Sequence, residues 1–183
     1  MGIGRGDSAL AHLGRAPASV GLLERYVRAV RAYLAGESVE FKDLGFSEST
    51  APDVATLELA DTPAASRLVF RRPEDPLVPI EVAATGPRVI AAAARSADRI
   101  AFALGADPER LAWGIETAKT ARNEAGLDPD SLSFAACVNL VAHPQIESAR
   151  EMVAGGLTTF ARFGVMHGKV HGPVDDSQRA VVE

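Results

Sequence analysis

The chain has 183 residues, 47% of them hydrophobic and 23% charged, which is material for one ordinary domain and excludes wholesale disorder, a collagen-like repeat and a coiled coil. Lys and Arg number 19 against 24 Asp and Glu, so the net charge of −5 offers no field for a phosphate backbone and nucleic acid is not an expected partner. The longest apolar run, Val89 to Ala94, is far short of the ~20 residues that cross a bilayer, and no basic-then-apolar leader opens the chain; a lone Cys137 forms no internal disulfide or thiolate cluster. These features point to a cytoplasmic protein with no membrane partner, in which redox chemistry needs a bound cofactor.

In chain order, Met1 to Ile3 reads as the tail of a strand. Val20, Leu23, Val27, Val30 and Leu34 are spaced by three and four, with Ser19 as N-cap and Gly36 past the end, so Ser19 to Ala35 is an amphipathic helix. From Glu37 to Asp75 the pattern breaks up around Pro52, Pro63 and Pro73 into an irregular excursion. Val78 to Ala84 is a β-rich run that stops at Thr85-Gly86-Pro87 and passes at once into a helix through Val89, Ile90, Ala93, Ala94 and Ala97.

The alternation repeats with a strand at Arg99 to Leu104 and a helix at Asp107 to Ala125, whose Pro108 and Gly126 suit its start and stop. Leu132 to Val141 is a nearly continuous apolar strand, which predicts burial on both faces in a parallel sheet. Pro144 to Phe163 is a further helix, weakened by Gly155-Gly156, and after Gly164 the apolar period is lost. The pattern is α/β, with about four βα units where a closed (β/α)8 barrel needs eight.

The strongest local feature is Val82-Ala83-Ala84-Thr85-Gly86-Pro87, where a buried strand ends in small residues and a helix begins. Small side chains admit a ligand to the backbone, and the helix start offers unpaired N–H groups and partial positive charge to a phosphate; the same residues also make an ordinary tight βα turn. The run Gly2-Ile3-Gly4-Arg5-Gly6-Asp7-Ser8 is glycine-rich but lacks the strand and helix of a dinucleotide fingerprint. Its Arg5-Gly6-Asp7 tripeptide matches an adhesion motif of a length that arises by chance, and its glycines could instead admit a flat or phosphorylated ligand beside Asp7. His167 and His171 lack a third metal ligand, Cys137 reads as a small packed residue, Trp113 as outer-layer packing, and His12 and Arg15 as loop residues near the glycine-rich turn.

Two separated segments carry a resemblance. Gly2 to Leu10, continuing through Leu13-Gly14-Arg15, is similar to the end of the fourth barrel strand in the luciferase-like monooxygenase superfamily, in particular its deazaflavin-dependent methylenetetrahydromethanopterin reductase branch. Pro79 to Pro87 followed by Ala97-Asp98 resembles that superfamily's fifth strand and coenzyme-phosphate turn, and the likeness extends through Ala106 to Glu109 and Val138 to Val141. The resemblance implies a partial TIM (β/α)8 barrel holding the family's fourth to seventh strands. It implies one domain over residues 1–183, with an irregular insertion at 37–75 and a loop at 164–183 that is cut short.

It further implies a coenzyme F-420 (deazaflavin) site, with FMN as the alternative. Gly4, Gly6, Asp7, Val82, Ala83, Ala84, Thr85, Gly86 and Pro87 would be in contact with the coenzyme. Asp7 stands where some relatives have a Glu beside the ring, one methylene longer, and is the candidate catalytic residue; Leu10 stands where some have Asn. The implied activity is hydride transfer to or from a small organic substrate, or oxygenation if FMN is bound. The family's first three strands and its eighth lie outside the matched pattern, which implies a fragment that pairs with itself or with a complementing chain, or a noncatalytic remnant binding a phosphate ligand or partner.

Overall fold

Local chemistry sets each helix boundary. The computed structural model describes residues 1–45, 56, 58, 61–72, 74–165, 170–176 and 179. These form two compact units, one of Met1 with Arg5–Ile80 and one of Gly2–Gly4 with Glu81–Glu183.

In the first unit, α1 (Asp7–His12) starts behind Gly6, which holds the left-handed conformation at φ 78°. The longer α2 (Val20–Leu34) is capped by Ser19, whose Oγ accepts from the Leu22 N–H at 3.2 Å, and it buries Leu23 and Val27. A short strand β2 (Val39–Glu40) precedes α3 (Phe41–Leu44) and pairs antiparallel with β3 (Ala65–Ser66), so the region read as irregular contains a small sheet. Arg71 secures the end of α2 by donating to Leu34 O at 2.8 Å and to Pro76 O at 3.0 Å. Residues 46–55 of the expected insertion lie outside the described residues.

In the second unit, β1 (Gly2–Ile3), β4 (Glu81–Ala84), β5 (Arg99–Phe102) and β6 (Ser133–Ala136) form one parallel sheet in that order. Helices α4 (Pro87–Ser96), α5 (Pro108–Glu124) and α6 (Ile146–Val165) follow β4, β5 and β6. Strand order never reverses along the chain, and right-handed crossovers in such an order put successive helices on one face, the winding of a barrel and not of a doubly wound sheet. The α/β class and the partial TIM-barrel architecture are therefore as expected.

The core lies between sheet and helices. Val82, Ala84, Ile100 and Phe102 are buried on the helical side, with Ile90, Ala93 and Ala94 of α4 and Ala118 and Ala121 of α5. Small residues set the separation: a Cβ on Gly114 of α5 would lie 3.0 Å from both the Phe102 ring and Leu104, so glycine is what lets this helix seat on β5. Phe102 in turn stacks on Phe134 at 5.7 Å between ring centroids and 11° between planes. Arg122 closes the far end of the layer, donating to Ala94 O at 2.8 Å, Asp128 O at 2.7 Å and Ser131 Oγ at 2.6 Å.

Two expectations need correction. The apolar run 132–141 is a strand only over Ser133–Ala136, and it is not buried on both faces: Ser133 and Ala136 are exposed, and residues 137–141 form no strand. Cys137 is exposed, not packed, and Leu140 is 85% exposed. The reason is topological, because among the described residues β6 has β5 on one side and no strand on the other, whereas continuous hydrophobicity describes a strand with neighbours on both sides. Strands expected at 78–84 and 99–104 are likewise shorter at their ends, while Gly155-Gly156 does not interrupt α6.

Candidate functional site

At the C-terminal ends of two adjacent strands, β4 and β5, two helices begin in opposite ways. The Asp107 carboxylate caps α5, accepting from the Glu109 N–H at 2.9 Å and the Arg110 N–H at 3.2 Å, so that helix start is already satisfied. The start of α4 has no side-chain cap. Gly86 O accepts from Val89 N and Ile90 N, and Pro87 has no N–H, but the N–H groups of Thr85, Gly86 and Arg88 make no hydrogen bond among the described residues. Three backbone donors, in the same turn as the Thr85 hydroxyl, lie at the positive end of a ten-residue helix.

The space around this turn is open. Gly86 has extended backbone at φ −95° and ψ 155°, and a Cβ there would meet nothing within 4 Å. Thr85, Gly86 and Pro87 are half-buried. Arg88, which the sequence reading passed over, is exposed in the first turn of α4, and that turn has no acidic residue. A cation at a helix N-terminus opposes the macrodipole, so Arg88 is unfavourable for the helix alone and favourable beside a bound anion. That sign conflict was the signal available in the sequence.

Sheet register places the other residues of this unit. Val82 and Ala84 are buried on the helical side, 0% and 3% exposed, and Ala83 is exposed on the opposite face. Ala101 and Ala135 are its partners in register, and Gly4 lies just past β1 with its Cβ position 3.9 Å from the Ala83 Cβ. Together these make a floor of small residues. One step below, Glu81, Arg99 and Ser133 form a polar row, with Arg99 3.7 Å from the Glu81 carboxylate and donating to Ser133 Oγ at 3.2 Å.

In the other unit, Gly6 takes the left-handed conformation that α1 needs, and a Cβ there would press on Leu10 at 3.1 Å. Asp7 is half-buried at the first position of α1, and its carboxylate has no hydrogen-bond or ion-pair partner among the described residues. Arg5 is occupied, donating to Ala18 O at 2.6 Å. His12 and Arg15 are exposed.

The remaining candidates fall away from any site. His171 is exposed, His167 lies outside the described residues, and no group that could hold a metal ion occurs among the described residues. Trp113 packs, as expected: a Cβ on Gly172 would lie 2.7 Å from its ring, and Arg110 holds the same segment by donating to Pro173 O at 3.2 Å. Burial draws the Arg110 guanidinium below its ordinary pKa, against the opposing pull of Asp107.

A one-directional parallel sheet with an open, uncapped helix start at its strand C-termini defines part of a TIM-barrel protein, and that end of the strands is the face where the fold carries its chemistry. A sequence profile for the luciferase-like monooxygenases matches residues 1–180, and the chain belongs to this family. Its fold is similar to that of the coenzyme F-420-dependent tetrahydromethanopterin reductase from Methanopyrus kandleri, with a TM-score of 0.61 and 18% identity over 87% of this chain and 46% of the reductase. The chain thus spans about half the length of that enzyme. No curated protein sequence matches it. No helix among the described residues is long and apolar enough to cross a membrane.

Proposed function

We propose that this chain is the coenzyme-binding portion of a coenzyme F-420-dependent oxidoreductase, acting on a small organic substrate. The observation that carries the reading is the contrast between two neighbouring helix starts: α5 is closed by its own Asp107, while α4 leaves the N–H groups of Thr85, Gly86 and Arg88 without a partner among the described residues, around an open Gly86. An uncapped helix start in the half-buried turn of a well-packed strand leaves donors that a ligand phosphate satisfies. Family membership and the fold shared with a deazaflavin-dependent reductase support the choice of ligand.

The residues divide by role. Thr85, Gly86 and Arg88 grip the phosphate through main-chain N–H groups, and the Arg88 side chain adds charge. Pro87 presets the first helical turn, and Val82 and Ala84 fix the strand from the core side. Gly4 and Ala83 provide a surface with no side chain beyond Cβ, on which a flat ring can lie. In the other unit, Gly6 sets the entry of α1 and so the placement of Asp7, for which the family likeness supports the role of proton donor or hydrogen-bonding group. A bound deazaflavin supplies the hydride chemistry.

FMN offers the same phosphate to the same turn and gives the alternative reading, an oxygenase. Titration of the purified chain with coenzyme F-420 and with FMN, followed by ligand fluorescence, decides between them. Gly86→Asp puts a carboxylate in front of the unpaired donors, and it should weaken binding of the preferred ligand at least tenfold, about 1.4 kcal/mol or more. Unchanged binding by this variant would overturn the phosphate turn, and binding of neither ligand would leave the chain a noncatalytic scaffold.

A further inference from the structure

We propose that residues 170–174 are a strap latched to the start of α5 by Arg110, and that an anion held at the neighbouring start of α4 releases the strap by drawing that guanidinium to itself. The proposal rests on the phosphate reading of the α4 start and adds to it a second cation and a moving part.

Two contacts dock the segment. Gly172 holds the left-handed conformation at φ 82°, and the Trp113 ring fills the place of its missing side chain, since a Cβ there would lie within 3.1 Å of three ring atoms. One residue further, Pro173 O accepts from Arg110 Nη1 at 3.2 Å. Arg110 and Trp113 are three positions apart in the first two turns of α5, so guanidinium and ring share one face of that helix and the segment crosses it. Pro173 and Val174 are half-buried there, while His171 and Gly172 are exposed.

The latch is a bond that an anion can outcompete. Arg110 is a cation in the first turn of a helix, where it opposes the macrodipole, and burial already works against its charge. Its partner in the strap is a neutral carbonyl, and the nearby Asp107 carboxylate is occupied with the N–H groups of Glu109 and Arg110. A phosphate offers the guanidinium full opposite charge and paired acceptors, which a single carbonyl does not. Helices α4 and α5 start at the C-terminal ends of adjacent strands and pack on each other. Axes of helices in contact lie about 8–10 Å apart, a gap that an arginine side chain largely spans. An anion on the open donors of α4 is thus within range of Arg110, and once Arg110 leaves Pro173 O the strap keeps only the contact of Gly172 with the ring.

Trp113 is the only tryptophan of the chain, so intrinsic fluorescence reads the docking directly. The full chain is titrated with inorganic phosphate at constant ionic strength, with chloride as the control and calorimetry to measure binding. Phosphate should move the Trp113 emission to the red and saturate, and chloride should not. Gly172→Ala places a methyl group in the ring contact, so its emission should be red-shifted before phosphate is added, and it should bind phosphate about threefold more tightly or better because Arg110 is already free. Arg110→Gln should start equally red-shifted and show no further change with phosphate, its circular dichroism remaining that of the wild type. Phosphate binding that leaves the wild-type emission unmoved, a Gly172→Ala chain with wild-type emission or affinity, or an Arg110→Gln chain that responds as the wild type does would each overturn the strap and leave the phosphate turn standing. No phosphate binding, or binding of equal strength by Gly86→Asp, would overturn both.

Discussion

Gly86 and Asp107 occupy equivalent places at the ends of adjacent strands, and their chemistry makes opposite predictions about stability and binding. Asp107 satisfies two N–H groups of α5, so Asp107→Ala should lower stability by about 1 kcal/mol, read from chemical denaturation. Gly86→Asp adds a good N-cap to a helix that has none, at a position with no steric obstacle, so stability should hold or rise by less than about 1 kcal/mol while the coenzyme is lost. A variant at a ligand site that binds worse and melts no earlier separates a functional opening from a packing one. Phe102 is the reverse case. Its ring is 1% exposed against Phe134 and the face of Gly114, and Phe102→Ala should cost about 3–5 kcal/mol, with the cavity as the cause.

Among elements, α5 is tied to the 3-10 turn at Pro129–Ser131 by an ion pair, Lys119 Nζ to Asp130 Oδ1 at 2.8 Å. The hydrogen bond and charge of Lys119 hold the Asp130 carboxyl below its ordinary pKa, and those of Asp130 hold Lys119 above its own. Asp130 therefore contributes stability above the usual carboxylate range and loses it as pH falls through the depressed folded value; Lys119 contributes below the usual ammonium range and loses it as pH rises through the raised one. Both groups are solvated, so the effect is small and fades with salt. An NMR titration of Asp130 should show its pKa returning upward in Lys119→Met. The local chemistry of such elements is what the sequence makes legible: Ser19, Asp107, Pro87, Gly36 and Gly126 mark helix ends within a residue because a cap or a left-handed turn is decided by immediate neighbours. Strand ends and the exposure of Cys137 were not legible, because they depend on whether a second strand lies alongside, which no local pattern encodes. For the candidate site, an open helix start at residues 85–87 could be read from small residues meeting a helix, whereas the sign conflict of Arg88, present in the sequence, gains meaning only beside a start seen to be uncapped.

For the whole molecule, ligand binding links the proposed phosphate turn to global stability by mass action. A ligand that binds only the folded chain stabilises it by about 2.7 kcal/mol at a hundred times its dissociation constant. Spread over the unfolding entropy of a chain of 183 residues, that corresponds to a rise in melting temperature of about 7 °C. On the proposed reading, coenzyme F-420 at that concentration should therefore raise the melting temperature of the wild-type chain by about this amount, and Gly86→Asp, which binds at least tenfold more weakly, should show about half that rise or less at the same concentration. An equal rise in both would mean that the coenzyme is held elsewhere than at the start of α4.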